Sequence, residues 1–187
     1  MYVERMVYPV FVLGVGTRIG IWMQGCPHHC HACINPELWD QKEKNNVDVH
    51  KILNSINSIC IGNEVDGFTI TGGEPFYQIE QLYRLLKGLR AFNKEILVYT
   101  GYTIHDIHNM DKGYQLLELI DVLIDGKYEE EQNVSGLALR GSENQKIYYR
   151  DSAIESRYVE YLNQGRKLQH FYDRKYMLSI GIHDRSE

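Results

Sequence analysis

Apolar residues recur along the chain with two periods. Residues 18–24, RIGIWMQ, alternate β-branched and aromatic positions behind the turn LGVG and predict a first strand. Between 47 and 59, Val49, Ile52, Leu53, Ile56 and Ile59 fall at helical spacing, and the short apolar run GFTIT at 67–71 predicts a buried strand. Residues 77–90 repeat the helical stripe with Ile79, Leu82, Leu85, Leu86 and Leu89, and EILVYT at 95–100 predicts the next strand. A helix over 114–120 and a strand over 121–125 continue the alternation, while YMLSIGI at 176–182 alternates like a final strand. Strands separated by helices argue for an α/β fold of βα units with a mainly parallel sheet, whose functional residues gather where the strands end.

Composition narrows the class. At 187 residues, 43% hydrophobic and 24% charged, the chain suits a single domain over 1–187, and disordered, collagen-like and repeat classes are excluded. A formal net charge of −5 leaves no global basic field, and no basic patch stands out, so nucleic acid is not an expected partner. No apolar run reaches the roughly 18–20 residues of a membrane span, and the N-terminal segment has no cleavage site. A cytoplasmic protein with no membrane partner is expected.

The cysteines change the picture most. There are four, and Cys26, Cys30 and Cys33 crowd into eight residues directly after the first predicted strand. A disulfide framework would spread its cysteines and require an oxidising compartment. Three thiolates do not close a tetrahedral zinc site, which would need a fourth ligand such as His28, His29 or His31. Thiolates are also the ordinary ligands of iron–sulfur clusters, and three of them on a four-iron cluster leave one iron open to a substrate. A cluster enzyme and a non-catalytic zinc or Fe–S binding module therefore both remain open at this point. The predicted fold adds two segments at the same rim, GGEP at 72–75 after the second predicted strand and TGY at 100–102 after the third.

The loop GCPHHCHACINPELW at 25–39 resembles the CxxxCxxC loop of the radical S-adenosylmethionine superfamily. It is most similar to that of the activating proteins of anaerobic ribonucleotide reductases, which likewise ends in Asn-Pro and Trp and has a small residue where Ala32 stands. GVGTR at 14–18 resembles the family's GPGTR, with Val15 for proline, and YTGY at 99–102 resembles its WTGY. GGEP resembles the superfamily's glycine-rich methionine-binding loop. VLIDGKYEEE at 122–131 and LRGSENQKI at 139–147 resemble the DGKF and RGSSNQ segments, with Glu143 for a serine. The motifs keep the family's order over about residues 7–150, and 151–187 form a C-terminal extension of unassigned role.

The resemblance implies an incomplete (β/α) barrel with one [4Fe–4S] cluster, ligated by Cys26, Cys30 and Cys33, and S-adenosylmethionine on the open iron. Thr71, Gly72, Gly73 and Glu74 would hold the methionine moiety, the last three through backbone groups, and Tyr99, Thr100, Gly101 and Tyr102 would line the adenosine side. The implied reaction is reductive cleavage to a 5′-deoxyadenosyl radical, which abstracts hydrogen from a glycine of a partner, the anaerobic ribonucleoside-triphosphate reductase. Activation of a different glycyl radical enzyme and modification of a small peptide are the alternatives within the same chemistry. Without a second cysteine cluster, the electron would come from an external flavodoxin or ferredoxin. Elsewhere the simple readings hold: Cys60 as a packed small residue, and His105, His108, His170 and His183 as surface or core residues. The acidic run at 129–131 is expected to be a solvated loop, and the aromatic residues of the tail, including Tyr158, Tyr161, Phe171 and Tyr176, to be core or interface. Lys127 and Arg140 would be solvated charges or would position a carboxylate or partner.

Overall fold

The computed structural model describes residues 1–172 and 177–184. Six strands form one sheet in sequence order. Strand β1 (Val3–Val10) pairs antiparallel with β2 (Arg18–Met23), and β3 (Gly67–Gly72), β4 (Glu95–Tyr99) and β5 (Val122–Asp125) then add in parallel. Strand β6 (Lys146–Tyr149) closes the far edge antiparallel to β5. Helices α1 (Val49–Cys60) and α2 (Ile79–Arg90) and the short α3 (Ile104–His108) and α4 (Gly113–Leu117) lie between the parallel strands. Helix α5 (Ser152–Leu162) and a separate hairpin, β7 (Leu168–Tyr172) with β8 (Met177–Gly181), complete the described chain. The expected α/β architecture with a mainly parallel sheet is present.

The side-chain period of two separates the faces of the sheet. Strand β2 is buried at every position, as a central parallel strand covered on both faces should be. Its Ile19, Ile21 and Met23 join Phe68, Ile70, Ile96 and Val98 beneath α1 and α2, which contribute Ile52, Ile56, Leu82 and Leu85. On the opposite face Leu97, Val122 and Ile124 pack against Ile154 and Tyr158 of α5, while Trp22 meets Val10, Leu38 and Ile180. The start of β2 is tied to its neighbours by Arg18, whose side chain is fully buried. Its Nε donates to Thr69 Oγ1 at 2.7 Å and its Nη1 to Glu95 Oε1 at 2.9 Å. Arg157 and the Tyr158 hydroxyl reach the same Glu95 carboxylate from α5.

Several elements differ from the sequence expectation. The strand expected first is second, because β1 precedes it; β1 is only partly buried along nearly its whole length and shows no clean alternation. The helix expected over 114–120 is the shorter α4, and α3 precedes it, capped reciprocally by Thr103 and Asp106. Strand β6, with four residues, is too short for a periodic signal, and α5 is capped by Asp151, whose side chain accepts from Ile154 N at 2.9 Å. The final strand expected over 176–182 is β8, Met177–Gly181, and Tyr176 lies outside the described residues.

Candidate active site

The cysteine loop, GGEP, TGY and DGKY leave the C-terminal ends of β2, β3, β4 and β5 in turn, whereas GVGTR leads into β2 and the 139–147 segment into β6. After β2 the chain enters a loop whose ends close on themselves: Gly25 N donates to Leu38 O and Cys26 N to Trp39 O, both at 2.9 Å. Within it the Trp39 ring stacks on His29 with centroids 4.7 Å apart. His29 and Ala32 adopt positive φ, 45° and 54°, a left-handed conformation that disfavours bulky or β-branched residues. Ala32 adds no branched side chain to strain this backbone. Cys26, Cys30 and Cys33 are free thiols, each partly exposed. Burial pushes the Cys26 and Cys30 thiols up, opposed by backbone hydrogen bonds from His28 and His29 at Cys26 and from Tyr128 at Cys30.

The glycine loop after β3 is fitted to the cysteine loop backbone. Gly73 N donates to Met23 O and Glu74 N to Gly25 O, both at 2.8 Å. A Cβ on Gly73 would sit 2.6 Å from Gly25 O, and one on Gly72, whose φ is +106°, would sit 2.5 Å from Met23 N. The close approach that requires glycine is therefore with the end of β2 at Gly72 and with the cysteine loop at Gly73.

Glu74 does more than its backbone role in the sequence reading foresaw. Its side chain is 1% exposed. Oε1 accepts from Phe76 N at 2.9 Å and from Thr100 Oγ1 at 2.8 Å, and Oε2 accepts from Gly101 N at 2.7 Å and lies 3.0 Å from His28 Nε2. One carboxylate thus fastens the glycine loop, the TGY segment and the cysteine loop to each other. The His28 ring is wedged against Gly101 and meets Tyr102 edge-on at 4.5 Å. The sequence offers His28 only as a metal ligand; nothing in its spacing signals a partner that is 46 residues away.

These segments enclose a cavity of about 300 Å³, at the small end of the usual range for ligand sites. Cys26, Cys30 and Cys33 line it together with Thr71, Gly72 and Gly73. Glu74, Tyr99, Thr100 and Gly101 line it as well, whereas Tyr102 sits beyond the His28 ring and packs on the core. The Tyr99 hydroxyl is buried without a partner, and burial raises its pKa well above the usual tyrosine value. Lys127 and Tyr128 form a further wall, held in place by the 139–147 segment: Gln145 Nε2 donates to Gly126 O and Asn144 Nδ2 to Lys127 O, both at 2.8 Å. Arg140 donates to Gln145 O at 3.1 Å and stands behind this wall. In the acidic run, Glu130 lies 2.8 Å from the exposed His31, so that run is tied to the cysteine loop at one position. Cys60, the last residue of α1, packs at the edge of the main core and does not line the cavity.

Among the described residues, no group of three or more His, Cys, Asp or Glu side chains converges closely enough to hold one metal ion. A tetrahedral zinc site would need such convergence. A four-iron cluster spaces its thiolate ligands more widely, and three partly exposed thiols around one cavity fit that larger group.

A family model described as a 4Fe-4S single cluster domain matches residues 12–148. The anaerobic ribonucleoside-triphosphate reductase-activating protein of Enterobacteria phage T4 is 33% identical over 147 residues, covering 76% of this chain and 90% of the relative. Proteins with the same name from Pasteurella multocida and Escherichia coli K12 are 33% and 30% identical, each over 75–76% of this chain and 93–95% of their own length. Among solved structures, QueE from Escherichia coli aligns with 54% of this chain and 52% of its own at a TM-score of 0.43 and 23% identity.

Proposed function

This chain belongs to the family of anaerobic ribonucleoside-triphosphate reductase-activating proteins and carries its 4Fe-4S single cluster domain, and from that premise we propose that it is a radical S-adenosylmethionine enzyme that installs a glycyl radical on the reductase. The observation that carries this reading is the shared cavity of the three cysteine thiols, the glycine loop and the TGY segment. When bound, the cluster and S-adenosylmethionine supply one-electron cleavage of the C5′–S bond and a 5′-deoxyadenosyl radical able to take a hydrogen atom from a glycine Cα.

The chain's own residues bind, orient and exclude water. Cys26, Cys30 and Cys33 hold the cluster. The N–H groups of Gly73 and Glu74 are already engaged with Met23 and Gly25 carbonyls, so the glycine loop has acceptors to offer, which suits an ammonium group. Lys127 is the cation on the cavity wall and suits the carboxylate of the same moiety. Thr71 and Gly72 flank that moiety, and Tyr99, Thr100 and Gly101 bracket the adenosine. Glu74 and His28 keep the three loops in register and Tyr102 backs the His28 ring. The sheet with its helices is read as the incomplete (β/α) barrel of this enzyme class, in a cytoplasmic protein that takes its electron from an external flavodoxin or ferredoxin.

The test is anaerobic reconstitution with iron and sulfide, followed by reduction with dithionite. The expected results are visible charge-transfer absorption, 5′-deoxyadenosine from S-adenosylmethionine, and a glycine-centred EPR signal on the anaerobic reductase. Tight binding of zinc with no 5′-deoxyadenosine would overturn the enzyme reading, and cleavage without any signal on the reductase would redirect it to another target.

A further inference from the structure

The cavity has one wall that the family motifs do not supply. Gly181, Ile182, His183 and Asp184, at and after the end of β8, line it, and they lie beyond the 12–148 stretch matched by the family model. The hairpin that carries them is fastened at three places. The Gln169 side chain completes hydrogen bonds at the end of β1, accepting from Phe11 N and donating to Pro9 O, each at 2.9 Å. Ile180 is buried among Val10, Trp22 and Leu38. Gly181 has φ +138°, and a Cβ there would meet Lys167 O at 2.2 Å.

The third fastening is Arg166, whose side chain is 5% exposed. A guanidinium has five N–H donors in a fixed fork, and here all five directions are used. Nε donates to Leu137 O at 3.3 Å, and Nη2 to Arg140 O at 3.3 Å and Gly141 O at 3.1 Å. Nη1 donates to His183 O at 2.8 Å and to Asp184 Oδ1 at 2.6 Å. One buried cation therefore clamps the wall segment onto the loop that also supports Lys127. A buried charge so fully paired is costly to disturb, and its two sets of acceptors belong to the wall and to the motif segment.

We propose that the C-terminal hairpin is part of the active cavity and that Arg166 is the positioning residue that holds 181–184 as the wall closing on bound S-adenosylmethionine and on the incoming glycine segment of the partner. The inference rests on the functional reading above. By shutting one side of a small cavity, the wall keeps a reactive radical from solvent and small hydrogen donors, so its expected effect is on coupling between cleavage and glycine activation.

The experiment uses full-length reconstituted protein in three forms: the natural chain, Arg166→Ala and Arg166→Lys. Hydrogen exchange is measured with and without S-adenosylmethionine. In the natural chain the ligand should slow exchange several-fold both at 72–74 and at 182–184. In Arg166→Ala the slowing at 182–184 should be lost while β2 to β5 keep their protection, which shows that the fold survives. With the reductase present, Arg166→Ala should make several-fold more 5′-deoxyadenosine per glycyl radical, and Arg166→Lys, with three donors for five acceptors, should fall between. Slowing at 72–74 but not at 182–184 in the natural chain, or an unchanged ratio in Arg166→Ala, would overturn the proposal and leave the functional reading intact. No slowing at either segment would overturn both.

Discussion

At the residue scale two buried charges tie distant segments together, Glu74 at the cavity and Arg18 at the other end of β2. Glu74 accepts hydrogen bonds from three donors, Phe76 N in its own loop and Thr100 Oγ1 and Gly101 N in the TGY segment, and an ionised carboxylate only accepts. Glu74→Gln places an NH₂ group against donors from Phe76, Thr100 or Gly101, so at least one buried donor loses its acceptor. The unfolding free energy should fall by about 1–3 kcal/mol, read from the urea midpoint, and the reconstituted protein should lose iron faster. Arg18 is paired just as fully at the other end of β2, and Arg18→Met leaves Glu95 buried with only its α5 partners. Breaking a buried pair from one side costs about 3–5 kcal/mol, and an unchanged denaturation midpoint would contradict the role given to this network. Cys30→Ala should abolish 5′-deoxyadenosine formation without unfolding the chain, because Cys30 lies outside all three hydrophobic clusters.

At the element scale the strand ends matter more than the strands. Gly73→Ala would drive a Cβ into the Gly25 carbonyl, a backbone neighbour that cannot swing aside as a side chain can. The cysteine and glycine loops should separate, with cluster yield on reconstitution falling sharply while the helical CD signal is retained. Leu85 of α2 shows the contrasting case, a fully buried residue remote from the cavity. Leu85→Ala should cost about 2–5 kcal/mol of stability, measured by urea denaturation, with iron content per folded chain unchanged. Helices α1 and α2 and strands β2 to β5 were legible in the sequence because each buries a continuous stripe or run. Strands β1 and β6 and helix α3 were not, since an edge strand with partial burial and five residues of helix carry too little periodicity. The Thr103 and Asp106 capping pair was a readable signal for α3.

For the molecule as a whole, the cavity is an addition to a core that stands without it. The main cluster runs from β2 to β5 and into α1 and α2 with none of the three crowded cysteines. Removing the cluster with a chelator should therefore leave far-UV CD nearly intact, unlike zinc fingers, which unfold without metal; loss of most of the helical signal would show that the cluster organises the fold. The sequence by itself determined the α/β class, the alternation of strands and helices along the chain, and the three segments expected to meet at the strand ends. These are local matters: periodicity follows from burial of one stripe, and the crowding of Cys26, Cys30 and Cys33 is read directly from the chain, their role as cluster ligands being what the family resemblance implies. Only the tertiary structure decided that His28 pairs with Glu74, that Tyr102 stands outside the cavity, and that the C-terminal hairpin supplies a wall through Arg166. Each of these is a contact between residues far apart in the chain, where a buried charge or ring takes whichever partner the packing brings within reach, and no spacing along the sequence records that choice.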